Sequence, residues 1–158
     1  MKNLYVLKYP DDKLRLKCRA VTIDKIGDPE TQELIVNLIH TLYIENGVGL
    51  AAPQVGDDRR IIVLDVGNGP CALINPKIVS ASIRKTKSRE GCLSIPGTNG
   101  IVKRHRSIHV VAFSKDGKEI SFKASGLLSI VIQHEIDHLD GILFIDKATN
   151  ITCGAKKL

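Results

Sequence analysis

The sequence contains no tryptophan, and its three tyrosines and three phenylalanines make up only 4% of 158 residues. So low an aromatic content argues against a platform on which nucleic-acid bases stack. No apolar run reaches the roughly 18 residues a membrane-spanning helix needs, so no membrane span is expected. The first 17 residues hold Lys2, Lys8, Asp11, Asp12, Lys13, Arg15 and Lys17. They have no unbroken apolar stretch and no small-residue cleavage site, so they do not read as a secretory signal. The expected location is the cytoplasm, with an organelle or phage source equally compatible. The four cysteines, Cys18, Cys71, Cys92 and Cys153, form no Cys-x-x-Cys pair. A disulfide framework is not expected, and most of them read as reduced thiols serving as small buried hydrophobes. No repeat, low-complexity tract or linker divides the chain, which is expected to be a single domain over 1–158.

The sequence does hold enough apolar material for a core: 43% of residues are hydrophobic and 25% charged, near the average for a globular domain. Its net charge of +6 is unevenly spread. Residues 84–106 contain Arg84, Lys85, Lys87, Arg89, Lys103, Arg104 and Arg106 against a single acid, Glu90. Such a segment reads either as a solvated basic surface or as a patch facing a polyanion such as RNA.

Asp28, Pro29 and Glu30 give a helix start, with Asp28 as cap. Leu34, Ile35, Leu38, Ile39 and Leu42 then recur at helical spacing until Asn46 and Gly47 end the helix. Residues 60–66 are rich in β-branched side chains and read as a buried strand, and 71–75 as another that Pro76 stops. The runs 109–113 and 119–123 flank Lys115-Asp116-Gly117, a hairpin signal. Ser125 precedes a second helix over 126–140, with Gly141 as its stop. Two helices among mainly antiparallel strands, without β-α-β alternation, make an α+β fold.

The second helix carries Gln133-His134-Glu135-Ile136-Asp137-His138. His134 and His138 are four residues apart, so both imidazoles leave one face and can share a metal ion. Glu135 is offset on the helix, near enough to reach a metal-activated water without being a ligand. Leu127, Ile130 and Val131 extend the same face and would wall an apolar pocket, or simply pack in the core. The bland alternative for the motif is a pair of surface histidines beside a salt-bridging glutamate. The metal reading suggests a metallohydrolase. Zinc or iron held by two histidines needs a third protein ligand. After His138 only Asp140 is near, and it lies on a different face. The remaining candidates are His40, His105, His109 and the cysteines. Cys92 stands out, because Glu90-Gly91-Cys92-Leu93-Ser94 is a turn-like segment, although a lone cysteine is more often a packing residue. A third segment, Gly47-Val48-Gly49-Leu50-Ala51-Ala52-Pro53-Gln54, reads as a tight loop in which backbone can approach a ligand. It follows a helix and lacks a third glycine, so it is a poor phosphate loop.

Taken in this order, the three segments resemble the peptide deformylase family, and the resemblance spans nearly the whole chain. It implies mixed, mainly antiparallel strands packed around a central metal-binding helix, with one N-terminal helix. It also implies metal-dependent hydrolysis that removes the formyl group from the N-terminal formyl-methionine of new polypeptides. Carried over by position, Cys92, His134 and His138 bind one divalent ion, with Fe(II) expected physiologically and Zn(II), Ni(II) or Co(II) accepted in purified protein. A metal-activated water attacks the formyl carbon, with Glu135 as general base. The Gln54 amide and the Leu93 N–H form the oxyanion hole. The methionine side chain enters a pocket of Val48, Gly49, Glu90, Leu127, Ile130, Val131 and His134. The peptide backbone pairs with the segments around Val48 and Gly91.

Two positions depart from the family's best-known bacterial form. Asn99 stands seven residues after the motif cysteine, where that form has arginine, whereas the arginine twelve after it is present as Arg104. Only 12 residues follow Asp146, among them Lys156 and Lys157, where many members end in a long helix that can dock on the ribosome. The basic segment 84–106 is the candidate substitute for that contact. The expected partners are therefore formyl-methionyl nascent chains and, by an altered route, the ribosome, with the protein a monomer and no membrane involved. A zinc metallopeptidase sharing His134, Glu135 and His138, and a non-catalytic metal- or RNA-binding module, are the competing readings. The first predicts internal peptide cleavage without need of Cys92, the second RNA binding without need of Glu135.

Overall fold

The computed structural model describes residues 1–154; Lys156 and Lys157 lie outside the described residues. Two antiparallel sheets are arranged around one helix. The first has five strands in the order β1 (Gly49–Ala51), β2 (Ile61–Leu64), β3 (Cys71–Ala81), β6 (Ser107–Phe113) and β7 (Glu119–Ser125). The second has three, in the order β4 (Lys85–Cys92), β5 (Ile95–His105) and β8 (Thr149–Cys153). A short helix α1 (Ile23–Ile26) leads into α2 (Pro29–Ile44), and α3 (Gly126–Leu139) carries the histidine motif. The expected α+β class is therefore what forms. No helix among the described residues is long and apolar enough to cross a membrane.

Strand alternation explains how the five-stranded sheet is covered on both faces. Ile61 and Val63 point to one side and pack with Leu34, Ile35, Leu38 and Leu42 of α2. Ile62 and Leu64 point to the other and pack with Val131, Ile132, Ile136 and Leu139 of α3. Consequently β2 is buried along its whole length, as its β-branched run requires. A third cluster joins Ile95 and Val102 of β5 to Leu14, Leu143 and Phe144 beneath the second sheet.

Several local expectations need correction. Pro76 does not stop its strand. The ladder between β3 and β6 shifts register between Ile74 and Lys77, so the residue without an N–H falls in a bulge. Asn75 sits there at φ 53°, and its side chain bonds the Val21 backbone at 2.9 Å and 2.7 Å. Neither expected cap works through its side chain: Ser125 makes no cap bond, and Asp28 instead meets Lys25 at 2.9 Å. Only Cys18 is a buried core thiol, because Cys71 and Cys153 are exposed. Residues 90–94 are not all turn: Glu90, Gly91 and Cys92 end β4, and only Leu93 and Ser94 turn the chain into β5.

Gly141 ends the motif helix at φ 73°, a conformation that L side chains rarely adopt. A Cβ there would also meet the Arg15 carbonyl oxygen and lie 2.8 Å from its carbon. Gly117, in the hairpin turn, has a similar φ of 74°, but a Cβ at that position would have nothing within 4 Å. Gly141→Ala should therefore cost roughly 2–4 kcal/mol in urea unfolding, against about 1 kcal/mol for Gly117→Ala. Equal losses would show that backbone conformation alone, without the Arg15 contact, governs position 141.

Candidate active site

The three segments singled out in the sequence converge on one cavity of about 410 Å³. The free edges of the two sheets frame it, β1 on one side and β4 on the other, with α3 as its floor. Val48, Gly49, Glu90, Gly91, Leu127, Ile130 and Val131 all line it, as do Gln54, Leu93, His134 and Glu135. Val48 and Leu127 are about half-exposed and form its rim, whereas Val131 and Glu135 are buried.

Cys92, His134 and His138 each place one ligand atom so that all lie within 4.8 Å of one another. Cys92 Sγ is 3.2 Å from His138 Nε2. His134 turns its Nδ1 to Glu90 Oε2 at 2.9 Å, which leaves Nε2 to face the other two donors. One sulfur and two imidazole nitrogens converging on a point, with His134 oriented from behind by Glu90, suit a divalent transition metal. Burial holds the His138 ring well below its ordinary pKa, so it stays neutral and keeps a lone pair for coordination. Its neighbour His134 lies edge-on at 5.0 Å between ring centroids, and Phe144 backs His134 at 6.2 Å.

Glu135 sits beside this donor set and beneath Gly49. A Cβ on Gly49 would meet Glu135 Oε1 and come within 2.9 Å of Cδ and 2.8 Å of Val131 Cγ1. Only glycine leaves room there for the carboxyl group. Burial pushes the Glu135 carboxyl up to about 7, and its Oε2 has no hydrogen-bond partner among the described residues. A buried carboxyl of that basicity, with one oxygen uncommitted, is equipped to take up and return a proton near neutral pH. Across from it, the Ala51 N–H donates to Gln54 Oε1 at 2.8 Å, fixing the amide so that Nε2 points inward. That nitrogen lies 3.2 Å from Ser94 Oγ and 3.5 Å from Cys92 Sγ. The Leu93 carbonyl accepts from Lys8 Nζ at 2.8 Å, and its N–H has no partner among the described residues. Gln54 and Leu93 thus both line the cavity, with the Gln54 amide nitrogen next to the thiol.

What the sequence did not reveal lies behind the histidines. Arg104 is 3% exposed and donates Nε and Nη2 to the two oxygens of Glu90 at 2.8 Å and 2.9 Å. Its Nη1 donates to Asp137 at 2.6 Å, and Lys147 reaches the other Asp137 oxygen at 2.6 Å. Burial alone would push Glu90 up, but Arg104 and His134 hold it down at about 2. Arg104 is thus no part of a basic surface patch; the other six cations of residues 84–106 are exposed. The β4–β5 hairpin pairs Glu90 with Gly100 and Arg104 with Thr86, which puts Glu90 and Arg104 on one face, where the long Arg104 side chain reaches along the sheet to the carboxylate. Only that register could have disclosed the contact. Gln133 adds a second anchor, taking the His105 N–H on Oε1 and giving Nε2 to the His105 carbonyl, both at 3.0 Å.

Comparison with known proteins follows the same lines. The family described as polypeptide deformylase matches residues 3–153. A peptide deformylase of Desulforudis audaxviator is 45% identical over 147 residues, covering 92% of this chain and 94% of that protein. The crystal structure of peptide deformylase from Thermotoga maritima superposes with a TM-score of 0.91 at 38% identity, covering 94% of this chain and 99% of that one. A peptide deformylase from Synechococcus elongatus, crystallised with actinonin, gives 0.89 at 39% identity over 94% of this chain and 81% of that one.

Replacing Arg104 with methionine should leave the Glu90 carboxylate buried without its cation. The expected cost in denaturant unfolding is roughly 3–5 kcal/mol, as for other broken buried ion pairs. A loss under about 1 kcal/mol, the level of an exposed pair, would contradict the bridging role.

Proposed function

The chain belongs to the polypeptide deformylase family, and from that premise we propose how its residues divide the work. The enzyme is a hydrolase that removes the formyl group from N-terminal formyl-methionine, and the family is metal-dependent. In our reading Cys92, His134 and His138 hold a single divalent ion, Fe(II) in the cell, with Zn(II), Ni(II) or Co(II) accepted by the same soft donor set. When bound, the ion supplies Lewis acidity and lowers the pKa of water towards neutrality. The single observation that carries the reading is the convergence of these three donors beside a buried, unpartnered carboxyl oxygen of Glu135.

The reaction breaks the C–N bond between the formyl carbon and the methionine nitrogen. Water supplies the oxygen that leaves in formate. Glu135 takes the proton from that water and passes it to the departing amine, which matches a carboxyl raised to about 7 by burial. Gln54 Nε2 and the Leu93 N–H donate to the formyl oxygen as negative charge develops on it. The Ala51 N–H keeps Gln54 aimed. The methionine side chain fills the space between Leu127, Ile130 and Val131, and its backbone pairs with the chain near Val48 and Gly91. Glu135 packed against Gly49 leaves little space beside the carbonyl carbon, which favours formyl over acetyl. The enzyme acts as a monomer in the cytoplasm on formyl-methionyl nascent chains.

Glu135→Gln should retain about one metal per chain and lose at least about 100-fold of its formate release from formyl-Met-Ala-Ser, the usual weight of a general base. Cys92→Ala should lose the metal as well. A Glu135→Gln enzyme of undiminished rate would remove Glu135 from the chemistry. Internal peptide cleavage that survives Cys92→Ala would support the metallopeptidase reading instead.

A further inference from the structure

Strand β4 ends at Cys92, and among the described residues its outer edge is unpaired, with β5 its only neighbour in the sheet. Among the described residues no other backbone hydrogen bond satisfies the edge groups of 85–91. Alternate side chains on the exposed face of this strand are Lys85, Lys87 and Arg89, and Lys103 of β5 stands directly opposite Lys87. None of the four has an acidic partner within 4 Å, although ten ion pairs form elsewhere among the described residues. Directly opposed like charges on neighbouring strands are unfavourable, so the Lys87–Lys103 pair costs stability in the free protein. The only acid of the segment, Glu90, points inward and is already neutralised by Arg104. Arg89 also lines the active-site cavity, so the basic row begins where the cavity ends.

We propose that the β4 edge is an extended substrate-binding track that favours acidic side chains in the nascent chain downstream of formyl-methionine. This rests on the deformylase reading, because a peptide whose N-terminus is held at Cys92 must leave the cavity along a fixed direction. Since β4 runs towards Cys92, such a peptide runs back antiparallel past Gly91, Arg89, Lys87 and Lys85. The distance from Arg89 to Lys85 is roughly 13 Å, or four residues of strand. An added strand would satisfy the open backbone groups, and every second side chain would lie on the cationic face. At cross-strand separations of about 5 Å, aspartate or glutamate there meets Arg89 and Lys87, and so offsets the repulsion between Lys87 and Lys103 one strand further in. A polyanion such as RNA would meet the same charges. It has no use, however, for a strand edge that is continuous with the catalytic cavity.

The test uses the metal-loaded enzyme and formylated hexapeptides that start formyl-Met-Ala. Aspartate is placed at alternate later positions, in either phase, and compared with asparagine at the same positions. The quantity read is the ratio of kcat/KM for the two peptides, taken within one enzyme so that the active fraction cancels. We expect a ratio of about three to ten in favour of aspartate at low ionic strength, falling towards one at high salt. In the double variant Lys87→Glu, Lys103→Glu the preference should reverse towards lysine peptides, a gain that misfolding cannot produce. A ratio near one in the wild-type enzyme at low salt would overturn the track. If a labelled RNA hairpin then bound in a salt-dependent way that the double variant abolished, the row would be assigned to nucleic acid. Failure to deformylate even the asparagine peptide would instead contradict the deformylase reading on which the track rests.

Discussion

Arg104 is buried between two carboxylates that belong to different parts of the chain, and the geometry of the site depends on that bridge. Glu90 lies two residues before Cys92 on one strand, and Asp137 lies between His134 and His138 on the helix. One guanidinium therefore ties the strand that offers sulfur to the helix that offers nitrogen. Glu90 in turn fixes the ring of His134 through Nδ1. Such a bridge is a poor source of net stability, because desolvating three charged groups offsets most of their attraction. Its value is positional, since a metal site tolerates little looseness in its ligands and relies on groups behind them for orientation. Lys147 completes the alternation of charge at the half-exposed end of the network.

Around this bridge the two sheets leave complementary gaps. Among the described residues the β1 edge and the β4 edge both lack a neighbour, and the site lies between them. A free edge is ordinarily an aggregation hazard that proteins blunt with charge. Here β4 carries three exposed cations, which protect the edge and, on the proposal made above, also select what may pair with it. Packing at the base is close enough that Gly49 and Glu135 occupy adjoining space, which ties the identity of a residue at the start of β1 to that of a helix residue.

The sequence made some of this legible and hid the rest, for physical reasons. His134, Glu135 and His138 are readable because helical periodicity alone puts two of them on one face, and α3 forms as expected. Cys92 cannot be chosen from spacing alone; the family resemblance singles it out, and the fold brings its sulfur to 3.2 Å from His138. Arg104 is marked in sequence by its position twelve residues after Cys92, but its burial is not readable, since that depends on a hairpin register that composition does not encode. Pro76 reads as a stop because a bulge, anchored by the Asn75 side chain on Val21, is needed to accommodate it. Local patterns are thus readable where one element suffices, and are lost where two distant segments have to be in register.

The central claim is that one sulfur and two imidazole nitrogens form the protein's metal site. X-ray absorption at the metal edge of the zinc-loaded protein measures that donor set directly. The account predicts one sulfur scatterer at about 2.3 Å and nitrogen or oxygen scatterers at about 2.0–2.1 Å. A shell of nitrogen and oxygen alone would contradict it, because Cys92 would then stand outside the coordination sphere.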